Sequence, residues 1–125
     1  YKKNTDTVVH RSRGYDIFSE KLKMAILIDS GTASASEILA GALSEHGVAT
    51  LVGTNSFGKG SVQELVKLTP DTSLKVTLAQ WLTPNGNSIS DGGLKPDIEV
   101  KPAEKNPGPN NDLQLKAAVD FLLKK

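Results

Sequence analysis

Met24-Ala-Ile-Leu-Ile-Asp-Ser-Gly-Thr-Ala-Ser-Ala-Ser-Glu-Ile-Leu-Ala-Gly-Ala-Leu-Ser-Glu-His-Gly47 changes its hydrophobic period midway, and that change decides the fold class. Residues 24–28 are an unbroken apolar run closed by Asp29. Such a run reads as a buried, parallel strand covered on both faces. Ser30-Gly31-Thr32 interrupts it. Ala35, Ile38, Leu39, Ala42 and Leu43 then fall at i, i+3, i+4, i+7 and i+8, one face of a helix, with Glu37, Ser44 and Glu45 on the opposite face. Gly47 is the stop, as glycine often is just past a helix. Ala49-Thr-Leu-Val52 follows as a second short strand, so the segment is a β-α-β unit and the fold class is α/β.

Downstream the period becomes two. Val62, Glu64, Val66 and Leu68 alternate with Gln63, Leu65 and Lys67, and Leu74, Val76 and Leu78 alternate with Lys75, Thr77 and Ala79. With the turn Thr69-Pro70-Asp71 between them, the two runs predict antiparallel strands. Ile98-Glu-Val100 predicts a last short strand. Pro102, Pro107, Gly108 and Pro109 mark residues 104–110 as a linker. Residues 111–125 predict a final helix, capped by Asn111 or Asp112, with Leu115, Ala118, Val119 and Leu122 as its apolar stripe. Upstream, Thr7-Val8-Val9-His10 is a candidate edge strand and Gly14 a turn.

The 125 residues suffice for one modest core. Fifteen basic residues against fourteen acidic leave a net charge of +1, which speaks against a nucleic-acid-binding surface. No apolar run reaches the ~20 residues of a membrane span. With no cysteine, a thiol nucleophile, a disulfide framework and a cysteine metal site are excluded. No residue pattern calls for a cofactor or a metal.

Two segments carry candidate chemistry. Gly31-Thr-Ala-Ser-Ala-Ser-Glu37 lies between strand and helix, where unpaired N–H groups and the helix dipole favour a developing oxyanion. A nucleophilic serine here could use the Ala35 N–H as a donor. Ser30, Ser34 and Ser36 are all eligible, and Ser34-Ala-Ser-Glu37 is equally a plain capping box. A histidine partner fits poorly. His46 lies twelve residues past Ser34 on the same helix, roughly 18 Å along its axis.

The second segment is Gly53-Thr-Asn-Ser-Phe-Gly-Lys-Gly60. It approaches the phosphate-binding loop G-x-x-x-x-G-K-[ST], but Gly60 stands where the hydroxyl belongs and a strand pattern follows where a helix is needed. Lys59 is alternatively a solvated turn residue, or a base for a serine if its amine is kept neutral by burial. In extended chain, Ser61 and Gln63 would share its face, and Gln63 could orient the amine.

In combination these segments resemble the carboxyl-terminal processing, or tail-specific, protease family. The likeness rests on Gly31-Thr-Ala-Ser-Ala-Ser-Glu-Ile-Leu-Ala-Gly-Ala-Leu43, Val52-Gly53, Ser56-Phe-Gly-Lys-Gly-Ser-Val-Gln63, Trp81-Leu-Thr-Pro-Asn-Gly86 and Gly93-Leu-Lys-Pro-Asp97. It implies a ClpP/crotonase-like core and a serine endopeptidase with Ser34 as nucleophile, Lys59 as general base, Gln63 as its orienting partner and Ala35 N–H in the oxyanion hole. It implies protein or peptide substrates and a cell-envelope or periplasmic location, membrane-anchored or secreted. The family's PDZ domain and its upstream oxyanion-hole glycine segment are not found. Residues 1–103 are therefore expected to be the C-terminal part of a catalytic domain, within a fragment that has little activity alone. The rival expectation is a non-catalytic peptide-binding scaffold in which Lys59 stays charged.

Overall fold

A computed structural model describes residues 9–11, 14, 21–102 and 111–124. Its elements are β1 (Ala25–Ile28), α1 (Ala35–Glu45), β2 (Thr50–Gly53), β3 (Ser61–Lys67), β4 (Ser73–Gln80), β5 (Ile98–Glu99) and α2 (Leu113–Leu123). The expected linker at 104–110 lies outside the described residues. So does much of the candidate edge strand at Thr7–His10, of which Val9 and His10 are described and belong to no strand.

β1, β2 and β5 form a parallel sheet in the order β1-β2-β5, with Ile26 opposite Leu51 and Val52 opposite Ile98. The crossover from β1 to β2 is α1, as the change of period implied. The core is Ile28, Ala40 and Leu51, with Ile26 and Leu94 packed against it. Full burial of a side chain such as Ile28 or Leu51 contributes about 1.5–3 kcal/mol, so a few such residues suffice to hold α1 on the sheet.

The expectation that β1 is covered on both faces needs amending. β1 is an edge strand among the described residues, and Leu27 is 43% exposed. A run of apolar residues reports what a strand can bury, not which neighbours it has.

β3 and β4 pair antiparallel as expected, apart from the sheet, with a register shift between Val62 and Gln63. α2 packs on β1 and β2. Its cap is Asp112, whose Oδ1 accepts the N–H groups of Gln114 and Leu115, both at 3.0 Å. Gln114 Nε2 also donates to Val100 O at 2.9 Å, tying the helix to the chain just after β5. No helix among the described residues is long and apolar enough to cross a membrane.

Candidate active site

β1 delivers the chain to a tight turn. Asp29 Oδ1 accepts the Gly31 N–H at 2.9 Å and the Thr32 N–H at 3.1 Å, so the turn is held by its own first residue. Ser34 follows with φ 58° and ψ −118°, and it is the only non-glycine residue with positive φ among the described residues. Such a conformation costs about 1–3 kcal/mol and persists only where the surroundings enforce it. Ser30 and Ser36 carry no such strain. Ser34 is exposed at the mouth of α1. Its own N–H is taken by Glu37 and the Ser36 N–H by Ala33 O at 3.3 Å. That leaves the Ala35 N–H as the first free donor of the helix N-terminus.

The residue that organises the site is Glu37, which is 0% exposed. Its Oε2 accepts the Ser34 N–H at 2.9 Å and the Lys59 N–H at 2.9 Å. The two main-chain nitrogens therefore lie within twice that distance of each other. Its Oε1 accepts the Gly58 N–H at 2.6 Å and the Ser56 hydroxyl at 2.5 Å. Ser56 Oγ in turn accepts the Leu94 N–H at 2.7 Å. One further bond, Phe57 N–H to Thr32 O at 2.9 Å, joins the loop to the turn. Gly93 permits the approach: with φ 75° it passes Ser56 where a Cβ would lie 2.5 Å from the Ser56 carbonyl oxygen.

Glu37 lies on the face of α1 opposite the apolar stripe, as the spacing implies, and is buried there. The loop 56–60 covers that face, so the carboxylate is enclosed. The sequence signal that could have found it is the S-x-x-E pattern itself, read as an anchor for a second loop as well as a cap.

The other site residues are placed as follows. Lys59 lies in the loop before β3, with its main chain bound to Glu37 and the residue exposed. Phe57, a candidate for apolar cover, is 65% exposed. β3 starts at Ser61, so no helix N-terminus follows Lys59 and the phosphate-loop geometry is missing. Gln63 is not brought to the Lys59 amine. Its Nε2 donates to Thr77 Oγ1 at 3.4 Å, because an extra residue in β4, Leu78, sets Gln63 opposite Thr77. His46 is at the far end of α1 as its C-cap. Among the described residues no group of three or more His, Asp or Glu gathers in a metal-binding arrangement.

Burial opposes ionisation of Glu37, but its bonds from Ser56, Gly58, Lys59 and Ser34 together outweigh that and hold its carboxyl below the ordinary 4.5. Glu45 is held low in the same sense, against burial, by bonds from Asn85, Thr83 and Asn87. A folded-state value below the unfolded one stabilises the fold fully above the unfolded value and is lost as pH falls through the folded value. The urea midpoint is therefore expected to fall progressively below pH 4.5, and to fall less steeply in Glu37→Gln. An unchanged slope in that variant would count against Glu37 as the source.

Residues 1–100 match the model of Peptidase family S41. The chain is 45% identical over 100 residues to a carboxy-terminal-processing protease of Bartonella bacilliformis, covering 80% of this chain and 23% of that protein. It is 51% identical over 92 residues to the carboxy-terminal processing protease CtpB of Bacillus subtilis, covering 73% and 18%. Among solved structures it resembles a photosystem II D1 C-terminal processing protease, with a TM-score of 0.63 at 35% identity over 73% of this chain and 24% of that one. The chain thus spans about a quarter or less of the length of these relatives.

Proposed function

The chain belongs to Peptidase family S41, and from that premise we propose that it is the C-terminal part of the catalytic domain of a carboxyl-terminal processing serine endopeptidase, with a core of the ClpP/crotonase type. Ser34 is the nucleophile and Lys59 the general base. The observation that carries the reading is the shared Glu37 oxygen, which binds the main chain of both residues at 2.9 Å.

The chemistry follows from those positions. The neutral Lys59 amine takes the Ser34 proton as Oγ attacks the peptide carbonyl carbon. Negative charge gathers on the carbonyl oxygen, where the Ala35 N–H and the α1 N-terminus stabilise it. Collapse breaks the C–N bond, Lys59 returns the proton to the leaving amine, and an ester remains on Ser34. Water, deprotonated by Lys59, attacks the ester carbonyl; the bond to Ser34 Oγ breaks, Lys59 returns the proton to that oxygen, and the free acid leaves. A neutral amine needs desolvation. Since Lys59 and Phe57 are exposed among the described residues, the cover comes from segments other than these. Gln63 acts on Lys59 only if that cover also shifts it away from Thr77. The substrates are proteins cut near their C-termini, recruited by a PDZ domain elsewhere in the protein, in an extracytoplasmic compartment.

A fluorophosphonate probe tests this reading. In the full-length protein it is expected to label Ser34, located by peptide mass spectrometry, and to fail in Lys59→Ala. Labelling that survives Lys59→Ala would assign another base, and none at all in the full-length protein would favour the scaffold. Losing one oxyanion donor costs on the order of a hundredfold or more in rate. The isolated 125-residue chain is accordingly expected to cleave peptides at least that much more slowly than the full-length protein.

A further inference from the structure

We infer that Glu37 is a positioning residue which holds Ser34 in its strained conformation and in register with the Lys59 loop. The inference rests on the dyad reading above and adds to it a residue that touches no substrate.

A capping box accounts for only one of Glu37's four bonds, the Ser34 N–H three residues away. The other three donors, Ser56, Gly58 and Lys59, lie 19 to 22 residues along the chain. An ionised carboxylate has about four lone-pair sites and no donor, so it suits four converging donors. A neutral acid or an amide does not, because either puts hydrogen against a donor.

The strain at Ser34 has the same origin. Its N–H is bound to Glu37, and its C=O accepts the Ile38 N–H at 3.1 Å. With both flanking peptide groups held, φ is over-determined, as a positive φ in a non-glycine residue requires. The Ser34–Ala35 peptide is fixed with them, and so is the aim of the Ala35 N–H. Because the same oxygen binds the Lys59 N–H, a shift of the loop is a shift relative to the nucleophile. A misplacement of about 1 Å between reacting groups can cost on the order of a hundredfold in rate. The Ser56 hydroxyl extends the clamp to Leu94, so a third segment stabilises the loop.

The test measures peptide cleavage by the full-length protein in Glu37→Gln, Ser56→Ala, Ser34→Ala and the unaltered enzyme. Fluorophosphonate labelling, run to completion, counts the active sites. Glu37→Gln keeps the shape but turns an NH2 group toward two donors. Its kcat per titrated site is expected to fall about a hundredfold with KM little changed. Ser56→Ala, which removes one donor and keeps the carboxylate, is expected to show a smaller fall of the same kind. A merely structural role would lower the number of titratable sites and leave kcat per site at the unaltered value, and that result overturns the inference. If Glu37→Gln does not fold, Ser56→Ala decides by the same criterion. Activity persisting in Ser34→Ala would overturn the dyad reading and this one together. A dead Ser34→Ala beside fully active sites in Glu37→Gln would overturn this one alone.

Discussion

Lys59→Ala in the full-length protease is expected to lower kcat/KM for peptide cleavage on the order of ten-thousandfold, the upper range for removing a general base. A serine hydroxyl at neutral pH is a weak nucleophile unless its proton is taken as the bond to carbon forms. Among the described residues Lys59 is the basic side chain whose main chain is held with that of Ser34, through the shared Glu37 oxygen. His46 is no alternative, because it caps the opposite end of α1. Lys59→Arg is expected to be as inactive as the alanine, since a guanidinium stays protonated and cannot accept the Ser34 proton. Added small primary amines should restore part of the lost rate in Lys59→Ala and none in Lys59→Arg, whose side chain fills the space. An arginine variant with near-normal turnover would show that the cation, not the base, is what matters. The lysine would then be an electrostatic element of the site, and another group its base.

The second large effect concerns stability. Gly53→Ala is expected to cost about 3 kcal/mol or more, a large share of the roughly 5–15 kcal/mol that holds an ordinary domain folded. Gly53 has φ 134°, a region that L side chains rarely adopt, and a Cβ there would run into the Ile28 carbonyl oxygen. That oxygen accepts the Thr54 N–H at 3.0 Å, while Gly53 O accepts the Val100 N–H at 2.8 Å. A methyl group thus drives β1 from β2 at the point where Ile28 pairs with Gly53 and the chain leaves for the Asp29 turn. Gly47 supplies the control. It also has positive φ, at 70°, but nothing lies within 4 Å of a Cβ there. Gly47→Ala should therefore cost only the backbone term, about 1 kcal/mol. Thermal unfolding of the two variants separates them, and equal losses would mean that the clash at Ile28 is relieved by a small movement of the strands.

The sequence by itself determined the β-α-β unit, the antiparallel pair, the final helix starting after Asn111 or Asp112, and the location of the two candidate segments for the chemistry. These depend on local periodicity: a change from continuous to 3.6-residue to two-residue spacing is legible wherever it occurs, and glycine marks its ends. What only the tertiary structure decided is which residues meet. The helical wheel set Glu37 opposite the apolar face, and only the structure shows that the loop 56–60 closes over it and makes it the most connected carboxylate of the site. Alternation set Gln63 on the face of Lys59, yet only the pairing with β4, with its extra residue Leu78, shows that the Gln63 amide meets Thr77. Ser34 stands apart from Ser30 and Ser36 by its strained backbone, which no local pattern shows. The physical reason is common to all three. Burial, strain and hydrogen-bond partners are set by contacts between segments far apart in the chain, and a short-range pattern carries no record of the loop that will fold across it.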